Sequence, residues 1–384
     1  MKVSRRIGRV EPSATLAISS LAKELEAEGA DVVDLSVGEP DFPTPPSIVD
    51  AASEAMEAGH TGYPPSRGIP SLRSAIADKL ADDGLNYESD QIIVTPGAKQ
   101  ALYEAFQTVC DEGDDVVLLD PAWVSYPAMA KLAGASTSHV DLSPHGFRLE
   151  PAIDEVNDAV SSETALMVIN TPSNPTGMVY SEDALAAIRD IAVDNDVTVI
   201  SDEIYERIVY GERPRSLATF DGMEERTITV NGFSKAYSMT GWRLGYFAGP
   251  QEFIDQAAKL QSHSVSAATN FVQHAGVTAL NECEAEVEEM VDAFQERRDH
   301  VIARLEDLGA DIPPVPGGAF YLMVPVVGDD MQTCEDALAD AHVATVPGTP
   351  FGTPGFARIS YANSIERLDL AIDRLAETTF FELG

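Results

Sequence analysis

Lys235 and Arg243 are the residues whose setting first suggests chemistry. They lie in TITVNGFSKAYSMTGWRLGY, residues 227–246, where an alternating apolar run ends at Asn231 and Gly232, the lysine follows, and the arginine stands eight positions later. A lysine held at a strand end can form a Schiff base with an aldehyde, and a nearby arginine can neutralise a phosphate. Taken alone, Lys235 reads as an ordinary solvated lysine, as most lysines are. Four other segments change that reading. QIIVT runs into Pro96, Gly97, Ala98 and Lys99, a tight turn opening a helix whose free N–H groups and positive dipole end can cradle a phosphate. DVVLLD runs into Pro121-Ala122-Trp123, TALMVIN into TPSNPTG with Asn174, and VTVIS into Asp202, Glu203 and Tyr205.

Each of these residues has a plain alternative: Trp123 as core, Asn174 as a turn former, Asp202 as a helix cap. Their common place at the ends of strand-like runs points elsewhere, because ligands of open α/β sheets sit just beyond the carboxyl ends of the strands. Together they supply what pyridoxal phosphate needs. There is a lysine for its aldehyde, an aspartate for its ring nitrogen, an aromatic face, donors to its ring oxygen and a cup for its phosphate.

The elements that must position them follow from periodicity. From residue 91, β-branched and apolar runs (QIIVT, DVVLLD, TALMVIN, VTVIS, TITVN, RLGYFAG) alternate with helical patterns, among them residues 182–194 with Leu185, Ile188 and Ile191 on one side. This predicts an α/β lobe with a largely parallel, doubly covered sheet over residues 40–281. Upstream, residues 14–28 read as a short amphipathic helix, VVDLSVG as a strand, 48–58 as a helix, and TGYPPSRGIP as a long loop before a helix starting near Pro70. Downstream, a long acidic helix from about residue 282 to 308 leads into GGAFYLMVPV, ARISYA and a last helix at 364–379, a smaller α+β lobe that residues 1–39 are expected to join.

Composition excludes several classes. Lys and Arg total 25 against 63 Asp and Glu, a net charge of −38, which repels nucleic acid and anionic membranes. The acidic excess is spread along the chain and resembles adaptation to a salty cytoplasm, where the Debye length falls to about 3 Å near 1 M salt. Cys110, Cys283 and Cys334 are widely spaced, so neither a disulfide framework nor a thiolate metal site is indicated. The amino terminus has no apolar stretch of signal length and no run could span a membrane, so a cytoplasmic protein is expected.

NTPSNPTG, SDEIY and NGFSKAYSMTGWRLGY, in order and over nearly the whole chain, resemble the class I, fold-type I pyridoxal-phosphate aminotransferases. The resemblance implies a mostly parallel seven-stranded sheet in the large lobe and a ping-pong exchange of an amino group between an L-amino acid and a 2-oxo acid. It casts Lys235 as the Schiff-base lysine and proton carrier and Asp202 as the partner of the ring nitrogen. Asn174 and Tyr205 become donors to the ring oxygen and Trp123 the stacking face. Arg243, with Gly97 and the amides of Ala98 and Lys99, becomes the phosphate site. Tyr63 would reach the phosphate held by a second subunit, which implies a homodimer with shared active sites. Arg358 of ARISYA becomes the fork for the substrate α-carboxylate, with backbone at Gly38 completing that pocket and Trp123 and Asn174 lining it.

Among such enzymes, aspartate aminotransferases with a GAKQ or GGKQ turn are the most similar. There the lysine, here Lys99, faces the distal carboxylate, and a PSAT segment, here with Ser13 and Thr15, is shared. Aspartate or glutamate with 2-oxoglutarate is therefore favoured, and Lys99 as a phosphate ligand alone is the alternative. Relatives accepting prephenate often carry KPSAT; here Glu11 replaces that lysine and disfavours so bulky a dicarboxylate. Alanine, aromatic or prephenate specificity, carbon–sulfur lysis and cyclopropane-carboxylate synthesis share the cofactor residues and stay open. A sensor domain of a transcription regulator lacks its DNA-binding domain here, and a nicotinamide dehydrogenase lacks its GxGxxG turn.

Overall fold

Twelve strands form three sheets in the computed structural model, which describes residues 2–12, 14–310 and 314–381. In chain order they are β1 (Val33–Asp34), β2 (Ile92–Thr95), β3 (Asp115–Asp120), β4 (Ser136–Asp141), β5 (Thr164–Asn170), β6 (Thr198–Asp202), β7 (Thr227–Gly232), β8 (Gly245–Ala248), β9 (Tyr321–Pro325), β10 (Val343–Ala344), β11 (Val346–Pro347) and β12 (Phe356–Ser360). Seven of them make the main sheet in the order β2-β8-β7-β6-β5-β3-β4. Only β8 runs antiparallel to its neighbours.

Alternation along these strands builds a core on each face. Val116, Leu118, Val168 and Ile200 pack under the Ala98–Val109 helix with Leu102 and Phe106, while Val117, Leu119, Met167 and Val199 pack under the Glu182–Asp194 helix with Leu185 and Ile188. Each side chain so buried contributes about 1.5–3 kcal/mol. The sheet is thereby a rigid platform, and every strand ending at the site ends on one edge of it.

Two expectations change. VVDLSVG forms only the two-residue β1, paired in parallel with β10; the rest is a loop, its Ser36 held by the Asp34 carboxylate through both N–H and hydroxyl. And β4, STSHVD, is a strand that apolar patterning does not reveal. It lies at the sheet edge, paired with β3 alone, so most of its side chains need not be apolar.

The chain beyond the sheet breaks at Cys283 between the Asn270–Glu282 and Glu284–Asp307 helices. The second of these, with the Ile365–Ala376 helix, covers the antiparallel sheet β11-β12-β9. The amino-terminal Ala14–Ala27 helix buries Ala22 against Val32, Leu338 and Ala344, with Ile18 and Leu25 partly covered at the same contact.

Candidate active site

Beyond the carboxyl edge of the main sheet lies a cavity of about 650 Å³. Ten of the residues singled out from sequence line it: Gly38, Ala98, Lys99, Trp123, Asn174, Asp202, Tyr205, Lys235, Arg243 and Arg358. Gly97 stands directly behind, against Arg243. Tyr63 lies outside this cavity and is 95% exposed. Ser13 and the side chain of Thr15 lie outside the described residues.

Asp202 closes β6 in a fully buried position, where its Oδ2 accepts from the Tyr126 hydroxyl at 2.6 Å and its Oδ1 from the Ile204 N–H at 3.3 Å. Burial pushes its carboxyl up to about 6, against the pull of those donors and of Lys235. Lys235 follows β7 and donates to the carbonyl of Gly38. Burial brings its ammonium down to about 8, and Arg358, Arg243 and Lys99 push the same way, while Glu39 opposes. An amine so placed is free to act as a nucleophile or base near neutral pH.

Arg358, on the central strand β12, is buried and its pKa is lowered by that burial. One terminal nitrogen donates to Asn174 Oδ1 at 3.0 Å and the other to the Ser36 carbonyl at 2.5 Å. Its Nε has no partner, and the guanidinium lies 4.5 Å from the centre of the Tyr321 ring. Tyr205 and Tyr321 pair through their hydroxyls at 2.8 Å.

A separate group of donors gathers at the start of the Ala98–Val109 helix. Gly97 caps it at φ +88° with no side-chain cap, so the first N–H groups point outward unpaired by any capping side chain. A Cβ on Gly97 would stand 2.6 Å from the Arg243 guanidinium, and one on Gly245 2.3 Å from the Ala98 nitrogen. Arg243 donates to the Thr240 carbonyl at 2.8 Å and forms no ion pair among the described residues. Lys99, with its ammonium 4.7 Å from the centre of the Trp123 ring, has its pKa lowered by burial and by Arg243. Crowded cations beside bare helix N–H groups, in so acidic a molecule, fit a phosphate. A buried carboxylate and a buried amine fit the ring and aldehyde of pyridoxal phosphate.

Sequence reasoning missed Tyr126 and Tyr321. Tyr126 stands one helical turn after Trp123, and that spacing was the available signal; Tyr321 in GGAFYLMVPV carries none beyond being an aromatic strand residue. No group of three or more His, Cys, Asp or Glu suited to a metal occurs among the described residues.

The family model for aminotransferase class I and II matches residues 30–375. The chain is 42% identical to the aspartate aminotransferase of Bacillus subtilis over 98% of both chains. It is also 42% identical to the aspartate/prephenate aminotransferase of Thermus thermophilus, over 97% of this chain and 98% of the other. Among solved structures, the Thermus thermophilus aspartate aminotransferase with maleate superposes with a TM-score of 0.94 at 41% identity, covering 98% of this chain and 99% of that one. The Rhizobium meliloti aspartate aminotransferase gives 0.94 at 37% identity over 100% of both chains.

Proposed function

The chain belongs to the class I and II aminotransferases, and from that premise we propose that its amino donors are aspartate and glutamate, with 2-oxoglutarate as acceptor. The protein is a fold-type I aminotransferase that uses pyridoxal phosphate and acts on small amino and oxo acids. When bound, that cofactor supplies an electrophilic aldehyde carbon and an electron-withdrawing ring.

The chain's own residues do the rest. Asp202, fixed by the Tyr126 hydroxyl, would hold the proton of the ring nitrogen. Trp123 would offer the ring a flat face, Asn174 and Tyr205 would serve the ring oxygen, and Gly97, the backbone amides of Ala98 and Lys99, and Arg243 would take the phosphate. Arg358 meets the substrate α-carboxylate, in the bidentate geometry that a lysine would not match. The Lys235 amine, drawn below the usual lysine range by burial, would take the proton from the substrate α-carbon and hold it for return.

The observation that carries the donor assignment is the presence of two separate cations, Arg358 and Lys99, in one cavity, one for each carboxylate of the substrate. The relatives named for both aspartate and prephenate favour a second reading, prephenate as amino acceptor; the carboxylate of Glu11 weighs against it. The test is a spectrum of the loaded protein in strong potassium chloride, with aspartate added and no oxo acid. Conversion of the visible band to a shorter-wavelength form, with oxaloacetate released, is expected. A band that aspartate leaves unchanged rejects the donor assignment and leaves the family intact.

The working unit is a homodimer. Tyr63 projects from a loop tied to the body by Ser66 Oγ on the Ser266 carbonyl at 2.7 Å and Asn270 Nδ2 on the Gly62 carbonyl at 3.0 Å. A second cavity, of about 700 Å³, shares Glu39, Thr240 and Arg243 with the first and is lined by Phe42, Trp242 and Phe271. It suits the corresponding loop of a second copy. No described helix is long and apolar enough to cross a membrane.

A further inference from the structure

The cavity inverts the charge balance of the molecule. The chain has 25 basic residues against 63 acidic ones, yet the cavity is lined by five cations (Lys23, Lys99, Lys235, Arg243 and Arg358) and only two carboxylates, Glu39 and Asp202. Four of the cations have tasks above. Lys23 has none.

Lys23 is placed there by the rotation of the amino-terminal helix. Ala22, fully buried, and Ile18 and Leu25, partly buried, turn one face of that helix onto Val32, Leu338 and Ala344. Ser19 and Lys23, four residues apart, lie on another face and line the cavity. Lys23 is exposed along this helix. It forms no ion pair among the described residues, although carboxylates are abundant on this surface; Lys79, by contrast, is paired with Asp83 and Glu206, both at 2.8 Å.

We propose that Lys23 is a specificity residue: a second ammonium for the distal carboxylate, supplied by the amino-terminal helix and acting with Lys99. The inference rests on the dicarboxylate reading above and deepens it. Two ammonium groups on separate elements favour a ligand with a second negative charge over one with an apolar end.

The test uses the cofactor-loaded protein and two unreactive probes, maleate and propionate, with binding followed by the change in the cofactor's absorption. Wild type is expected to prefer maleate. Lys23→Met lowers that preference about tenfold and Lys23→Arg restores most of it, a tenfold change being about 1.4 kcal/mol. An unaltered absorption band confirms that the variant is loaded and folded. A preference unchanged in Lys23→Met but lost in Lys99→Met overturns this inference and spares the dicarboxylate reading. Absence of any preference in wild type overturns both.

Discussion

Asp202 is costly to the chain that carries it. Its folded pKa of about 6 stands above the ordinary value of 3.8, because burial outweighs the Tyr126 and Ile204 hydrogen bonds. A raised carboxyl pKa means that the folded state holds the proton more tightly, so ionisation subtracts stability. The loss is absent below about pH 4, grows between the two values, and is complete above about pH 6. Two pKa units correspond to about 3 kcal/mol. Asp202→Asn should therefore stabilise the cofactor-free chain by up to about 3 kcal/mol at pH 7.5 and leave it nearly unchanged at pH 4, while transamination falls by orders of magnitude. Denaturant unfolding at the two pH values checks the first part. A variant that is less stable at pH 7.5 would show that the carboxylate is a net asset without its cofactor.

At the scale of elements, the phosphate turn depends on how closely β8 passes it. Gly245 has no room for a side chain, since a Cβ would stand 2.3 Å from the nitrogen of Ala98 and 2.6 Å from the carbonyl carbon of Gly97. Gly245→Ala must push the helix start away from Arg243. A stability loss of about 1–3 kcal/mol is expected from such overpacking, and at least about tenfold weaker retention of pyridoxal phosphate. Equilibrium dialysis measures the second, and unchanged retention would remove this helix start from the phosphate site. Burial explains what sequence could and could not disclose. Strong apolar runs made the buried strands, the edge strand β2 included, and the residues at their ends legible. β4 buries only Val140 and shows no such run. Tyr126 and Tyr321 act through contacts 76 and 116 residues away in sequence, to Asp202 and Tyr205, and spacing does not report such distances. The amino-terminal arm read as a helix, but which of its faces met the cavity depended on its docking against Leu338 and Ala344.

For the whole molecule, charge sets the terms of assembly. Two chains of formal charge −38 each must approach for Tyr63 to leave solvent, and at low salt their repulsion extends over tens of ångströms, against about 3 Å near 1 M. The proposed dimer's dissociation constant should therefore fall steeply between about 0.05 and 1 M potassium chloride, the span over which screening becomes short-ranged. Sedimentation velocity at several concentrations measures it. A chain that stays monomeric at all salt concentrations would contradict the homodimer, and one that stays dimeric throughout would show an interface strong enough to override the charge.

The loop from Ser36 to Gly38 has a further consequence. Its carbonyls already engage the two cations that matter most, Ser36 with Arg358 and Gly38 with Lys235. Both contacts are made by main-chain oxygens, which no side-chain substitution deletes. Only a change that bends the loop itself, such as the loss of the Asp34 carboxylate that holds Ser36, reaches both cations at once.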